Sequence, residues 1–184
     1  MAVPNLQEYL MRYRRLFIEG HSYFFTIVTY QRNPILVDNI ELLRNAFKYA
    51  KSKFQFSIDA IVILPDHFHT IMSFDNVEEY PKALGLIKKE FSKQCNPKYY
   101  QHLIQSHSRE QQNYKPIWQK RFYEHTIRDE KDYKLRLDYI HYNPIKHHLV
   151  DKTKDWDYSS FDKFVKNGVY DKNWGDFDAT IDFE

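Results

Sequence analysis

The sequence predicts an α+β domain built on one antiparallel sheet, with helices packed on one face and a C-terminal extension. Three observations carry this. Short runs rich in aromatic and β-branched residues alternate with longer stretches of helical spacing. Two of the strands are separated by little more than Pro65-Asp66, a turn that sends the chain back antiparallel. The order reads strand, helix, strand, strand, helix, strand, helix, which matches the ferredoxin-like arrangement.

Residues 23–31, YFFTIVTYQ, form the first strand. Residues 38–53 form a helix in which Leu42, Leu43, Ala46, Phe47 and Ala50 share one face. Asp38 is its expected N-cap, with Glu41 three residues on in a capping-box arrangement. Residues 56–64, FSIDAIVIL, and 67–74, HFHTIMSF, are the second and third strands. Residues 79–94 form a second helix, with Leu84, Ile87, Phe91 and Cys95 spaced for burial. Residues 96–115 read as a long polar loop with room for a helical turn. A fourth strand is expected over residues 117–127, and Asp129 caps a third helix. That helix is expected to end at Tyr142, because Asn143 precedes Pro144 and helical geometry is disfavoured there. Residues 1–150 are expected to hold the functional domain. Residues 151–184 form an extension whose Trp156, Phe161, Phe164, Tyr170 and Trp174 pack back on it.

The 184 residues suit one compact domain, and 42% of them are hydrophobic, enough for a core. The aromatic share is 17%, from 15 Tyr, 14 Phe and 3 Trp. Most of these rings are needed for packing; those at the surface could stack on bases. Net charge is only +2, which excludes a strongly basic protein. The cations nonetheless cluster, as Arg12, Arg14, Arg15, then Lys88, Lys89, then Lys115, Lys120, Arg121, and a local stripe of this kind can bind phosphates. Cys95 is the sole cysteine, so neither an internal disulfide nor a cysteine zinc site can form. Residues 1–13 show no apolar leader and no run approaches membrane-spanning length. The expected location is therefore the cytoplasm.

The chemistry-bearing residues fall in three groups. On a strand, His67 and His69 project to one face while Phe68 turns to the other, into core. Two such imidazoles can bind a divalent ion, although the spacing alone is equally that of two surface histidines on a strand. On the third helix, Tyr139 and Asn143 are four apart and share a face. A tyrosine hydroxyl, with its free pKa near ~10, becomes a useful nucleophile when a metal polarises the phosphate it attacks, and Asn143 could add a neutral oxygen to that metal. Along the fourth strand, Gln119, Arg121, Tyr123 and His125 share one face, with Arg128 following. That mixture of cations and rings suits phosphates and bases, or an edge strand protected by charge.

The combination Leu64-Pro65-Asp66-His67-Phe68-His69, then Ile117-Trp118-Gln119 with Phe122, Glu124, His125, Ile127 and Arg128, then Asp138-Tyr139-Ile140 with Asn143-Pro144, resembles the IS200-like transposases. It is most similar to their REP-associated tyrosine branch, over roughly residues 13–174. The resemblance implies a single-tyrosine enzyme of the HUH type. His67 and His69, helped by Asn143, would hold Mg²⁺ or Mn²⁺, and Tyr139 would attack single-stranded DNA near a hairpin. A 5′-phosphotyrosine forms, a 3′-OH is freed, and rejoining reverses the step. Arg14, Arg15, Lys88, Lys89, Gln119, Arg121, His125 and Arg128 are the candidate DNA contacts. The long branch implies a monomer rather than a homodimer, and a bacterial protein at the nucleoid when DNA-bound. Two positions depart from the pattern. Lys146-His147-His148 fill a stretch where relatives often carry Gly; the two histidines could contact phosphate, though solvent is the expected place for them, and Asp66 stands where Asn or Glu is more usual.

Two other classes stay open on the residues alone. A non-catalytic module of RRM-like fold would share the aromatic sheet, but the basic-Gly-aromatic core of that family's RNA-binding motif is missing from the sequence. A metal-dependent hydrolase using His67 and His69 without a covalent step would not need Tyr139.

Overall fold

The computed structural model describes residues 22–175; Arg14 and Arg15 lie outside them. The strands are Ser22–Val28 (β1), Phe56–Ile63 (β2), His67–Phe74 (β3) and Tyr123–Thr126 (β4). The helices are Ile40–Lys51 (α1), Tyr80–Gln94 (α2), His107–Gln111 (α3), Glu130–Lys146 (α4) and Phe161–Lys166 (α5). The sheet order is β2-β3-β1-β4, wholly antiparallel, as the ferredoxin-like reading requires. Among the described residues no helix is long and apolar enough to cross a membrane.

β3 lies between β1 and β2, and all eight of its residues are buried. Its neighbours are apolar on both sides of the pleat, so both faces must be covered. On one face Phe25, Ile27, Phe68 and Met72 pack against Leu43 and Phe47 of α1 and Leu84, Ile87 and Phe91 of α2. On the other, Phe24, Val62 and Ile71 meet Tyr133, Leu137 and Ile140 of α4, with Phe161 and Phe164 of α5. The expectation of helices on one face therefore holds for α1 and α2, while α4 takes the opposite face. The adjacent Phe24 and Phe25 of β1 show why: each belongs to a different core.

Three local expectations need correction. The fourth strand is shorter than residues 117–127. Thr26 pairs with Tyr123 while Thr29 bridges to Trp118, so three steps along β1 are matched by five on its partner. The surplus residues bulge out, which ends regular pairing at Tyr123. The helix carrying Tyr139 continues through Pro144 to Lys146. Proline forfeits one hydrogen bond there, but it is buried and lies only two residues from the helix end. Asp38 is exposed and is not the cap of α1. Asn39 stands at that position, with its side chain donating to the Ile35 carbonyl instead.

The end of α4 explains the missing glycine. His148 sits in the left-handed region at φ 54°. Its N–H donates to the Ile145 carbonyl at 2.9 Å, and the Leu149 N–H to the Pro144 carbonyl at 3.0 Å. This bond pair is a Schellman closure, which elsewhere favours glycine at the position His148 fills.

Candidate active site

The histidine pair is presented by the β2–β3 hairpin. The Leu64 N–H donates to the His67 carbonyl at 2.8 Å, leaving Pro65-Asp66 at the tip. In register, Val28 lies opposite His67 and Thr26 opposite His69. Both imidazoles therefore lie on the α4 side of the sheet, and Phe68 enters the other core against Phe47 and Trp118. The rings of His67 and His69 stand 4.9 Å apart, nearly perpendicular, and each residue is only 3% exposed.

Each ring is held through Nδ1. His67 Nδ1 donates to Asp66 Oδ1 at 2.5 Å, and Asp66 Oδ2 accepts from Arg32 at 3.0 Å. The Asp66 carbonyl takes bonds from both the N–H and the hydroxyl of Thr29, at 2.8 Å each, so the carboxylate rests on a fixed backbone. Burial alone would raise the Asp66 pKa, but the bond and charge of His67, then Arg32, outweigh it and hold the carboxyl at about 2. His69 Nδ1 shares a 2.8 Å hydrogen bond with Thr26 Oγ1. Burial, then the charges of His67, His147, Lys146 and Arg32, push the His69 pKa well below its usual value, so this ring is neutral at pH 7. With Nδ1 donating to Thr26, Nε2 keeps its lone pair. That Nε2 is buried and has no hydrogen-bond partner.

α4 lies across the pair. The Tyr139 ring is 5.1 Å from His69 and 5.9 Å from Phe24, which itself stacks on His69 at 5.5 Å. Two turns on, the His147 ring is 5.1 Å from His67. Asn143 lies midway between these contacts and is fully buried. Its amide donates to the Tyr139 carbonyl at 3.4 Å, while its Oδ1 has no partner. Lys146 Nζ sits 4.8 Å over the Tyr139 ring. Uninterrupted helix through Pro144 is what keeps Tyr139, Asn143 and His147 in one row.

Among the described residues no three His, Cys, Asp or Glu side chains gather as a metal-holding group. Two imidazoles must then be completed by ligands of another kind. The orphaned Nε2 of His69 and the orphaned Oδ1 of Asn143 are donors of the right type, and a phosphate oxygen would supply more. The residues present fit a divalent ion.

The four residues singled out for chemistry, His67, His69, Tyr139 and Asn143, thus lie where α4 crosses β3, with Tyr139 in ring contact with His69. His147 is exposed, as expected, yet its ring also contacts His67; its four-residue spacing from Asn143 was the available signal. Arg32, Thr26 and Lys146 carried no such signal, since only the folded turn and helix end bring them in. The proposed DNA contacts lie elsewhere. His125 and Arg128 both turn to Asp132 near the start of α4, at 2.7 and 3.8 Å. Arg121 is exposed in the bulge before β4. Lys88, Lys89 and Gln119 line a groove beside α2.

Comparison with known proteins agrees with this geometry. The family model described as transposase, IS200-like, matches residues 17–143. An Escherichia coli protein named REP-associated tyrosine transposase is 34% identical over 167 residues, covering 90% of this chain and 91% of the relative. A Haemophilus influenzae protein given the same name provisionally is 42% identical over 170 residues, covering 90% of this chain and 94% of the relative. A solved structure of a REP-associated tyrosine transposase bound to a REP hairpin superposes with a TM-score of 0.68 at 33% identity, over 84% of this chain and 85% of that one. The chain belongs to the IS200-like transposase family, and it is an enzyme of DNA strand cleavage and joining of the HUH type.

Proposed function

We propose that this chain cuts and rejoins single-stranded DNA beside hairpins of the REP type, with Tyr139 as the nucleophile of the same chain that carries His67 and His69. The observation that carries the reading is the 5.1 Å approach of the Tyr139 ring to His69 within one chain. The hairpin substrate follows from the solved relative, whose DNA is a REP hairpin.

His67, His69 and Asn143 would hold the divalent ion, Mg²⁺ or Mn²⁺, the last two through atoms that lack other partners. When bound, that ion supplies Lewis-acid polarisation of the scissile phosphate. The chain supplies the rest. Tyr139 Oη attacks phosphorus, the bond from phosphorus to the 3′ oxygen breaks, and that oxygen leaves as a 3′-OH after taking a proton. The new tyrosine–phosphate ester keeps the energy of the broken bond, so joining needs no nucleotide cofactor. A 3′-OH attacks the ester and returns Tyr139 as leaving group. Lys146, above the Tyr139 ring, places positive charge beside the transferring phosphate. Phe24 and Thr26 hold His69, and Asp66 holds His67, before substrate arrives. The protein would act as a monomer in the bacterial cytoplasm, at the nucleoid when bound.

The test is incubation with hairpin DNA carrying single-stranded flanks and Mn²⁺, followed by mass-spectrometric mapping of DNA-linked tyrosine. Tyr139→Phe should abolish cleavage and leave binding intact. Cleavage retained by that variant would refute the nucleophile, and attachment at another tyrosine would move the site without changing the class.

A further inference from the structure

Beside α2, the loop after α3 and the segment leading into β4 close a groove of about 750 Å³. Its lining holds six cations, Lys88, Lys89, Lys93, Arg109, Lys115 and Lys120, and no Asp or Glu. In a chain of net charge +2 that is a concentrated patch. Three of these cations donate to neutral backbone groups. Lys88 Nζ donates to the Gln119 carbonyl at 2.7 Å, Lys115 Nζ to the Ser92 carbonyl at 2.8 Å, and Arg109 to the Trp118 carbonyl at 3.1 Å. Lys93 pairs with Glu90 at 4.0 Å, while burial, then the charge of Arg109, lower the Lys88 pKa to about 8, as expected for a desolvated cation beside another. Phe122, half-buried, and Tyr114, 49% exposed, supply aromatic surface, with Trp118 buried beneath them as part of the core. Gly85 opens the α2 wall: a Cβ built there meets nothing within 4 Å.

We propose that this groove binds the unpaired DNA strand that continues from the histidine pair, taking bases against its rings and phosphates on its lysines. It rests on the reading of the chain as a single-strand DNA enzyme and adds a second binding region to it. Three features select this occupant. Rings among cations are the combination that holds single strands without duplex geometry. The volume suits one or two nucleotides, within the ~300–1,000 Å³ usual for ligand pockets. The groove also abuts the active end of the sheet, because the Gln119 N–H donates to the Val28 carbonyl at 3.0 Å and Val28 lies opposite His67. The histidine pair lies on the α4 face and the groove on the α2 face, so a strand leaving the pair reaches the groove by turning round the β4 edge of the sheet. An acidic peptide would satisfy the lysines but leave the rings without stacking partners.

Gly85→Leu projects a side chain into the groove and narrows it and, in a helix, should raise stability by up to about 1 kcal/mol, so unfolding is not a confounder. The probes are a fluorescent DNA hairpin with an unpaired flank and the same hairpin blunt, read by anisotropy. The expected result is a loss of about tenfold or more for the flanked probe and no change for the blunt one. A Lys89→Ala, Lys120→Ala double variant should flatten the salt dependence of flanked-probe binding, by about 0.7 in log–log slope for each phosphate the groove no longer neutralises. Equal binding of the flanked probe by Gly85→Leu and parent overturns the proposal, as does an equal loss for both probes or a preference of the groove for polyglutamate over DNA. Adducts at Tyr139 are scored on the same samples. A parent protein that shows the flank effect but forms no adduct supports the groove and refutes only the nucleophile assignment.

Discussion

Replacing Asp66 tests whether the histidine pair is built to receive a metal. Asp66 accepts from His67 Nδ1 at 2.5 Å, is clamped by Arg32, and has a side chain only 19% exposed. The carboxylate fixes the proton on Nδ1 and so leaves Nε2 as the ligand atom. Without it the proton can move to Nε2, where it blocks coordination, and the ring can turn. Partners of this kind are worth about 10–100-fold in metal affinity, or ~1.4–2.7 kcal/mol. Asp66→Ala should therefore weaken Mn²⁺ binding by about that factor, measured by electron paramagnetic resonance of free Mn²⁺ during titration of the DNA-free protein. Asp66→Asn keeps an acceptor but loses the charge, and should fall between parent and Asp66→Ala. Binding of hairpin DNA in EDTA should be unaltered in both. Parental Mn²⁺ affinity in Asp66→Ala, under conditions where His67→Ala loses binding, would refute the argument. The same hydrogen bond has a pH signature. The folded pKa of Asp66 is depressed from 3.8 to about 2, so its stabilisation is present above pH 3.8 and is lost as pH falls through about 2.

His148→Gly relieves the left-handed residue that closes α4 and should stabilise by about 1 kcal/mol, raising Tm by ~2–4 °C in a calorimetric scan; an unchanged or lower Tm would count against the strain. His141 is fully buried among Phe161, Phe164 and Tyr170, and burial, then Lys134, lowers its pKa from 6.5 to about 3. A depressed histidine contributes stability above its unfolded pKa and loses it as pH falls, here by about 2 kcal/mol between pH 7 and pH 5. Urea midpoints should fall over that range, and His141→Phe should show a shallower slope; an identical slope would show that other groups, His69 among them, carry the acid limb. Mixing Tyr139→Phe with His67→Ala protein should restore no cleavage of hairpin DNA, because the proposed active site draws both parts from one chain. Recovery of activity on mixing would establish exchange between subunits.

The strands of the core were legible because their patterns are local. The HFHTIMSF run is bounded by Pro-Asp and a polar turn, and the third strand occupies those eight residues. The pairing of His67 with His69 on one face followed from the pleat alone. Other features depended on distant partners. Whether residues 117–122 join the ladder is decided by where β1 can pair, and a bulge is invisible to a propensity reading. Pro144 argues for a helix end on local sterics, yet it is buried within a helix that runs three residues past Asn143, and with it goes the whole row facing the histidines. Asp66 looked like a turn residue because its second role, accepting from His67, requires Arg32 and Thr29 of another turn to hold it.

The position of Tyr139 is a consequence of how α4 is buried rather than of the site itself. Tyr133, Leu137 and Ile140 fix one side of the helix on the sheet, beside Phe24, Val62 and Ile71. The C-terminal segment fixes the rest. Tyr170 donates to Asp138 at 2.6 Å, the residue before the proposed nucleophile, and the His141 ring is enclosed by Phe161 and Phe164. Trp156 Nε1 reaches the Ile63 carbonyl at 3.0 Å, and Ser160 Oγ accepts from Ile61 N–H at 3.0 Å, so the same segment is stitched to β2. Burying Phe161 and Phe164 alone is worth roughly 1.5–3 kcal/mol each. A tyrosine helix held between its own sheet and its own extension has little freedom to leave for another subunit. That clamp supports catalysis within one chain, and it makes the extension part of the geometry that sets the distance between Tyr139 and His69.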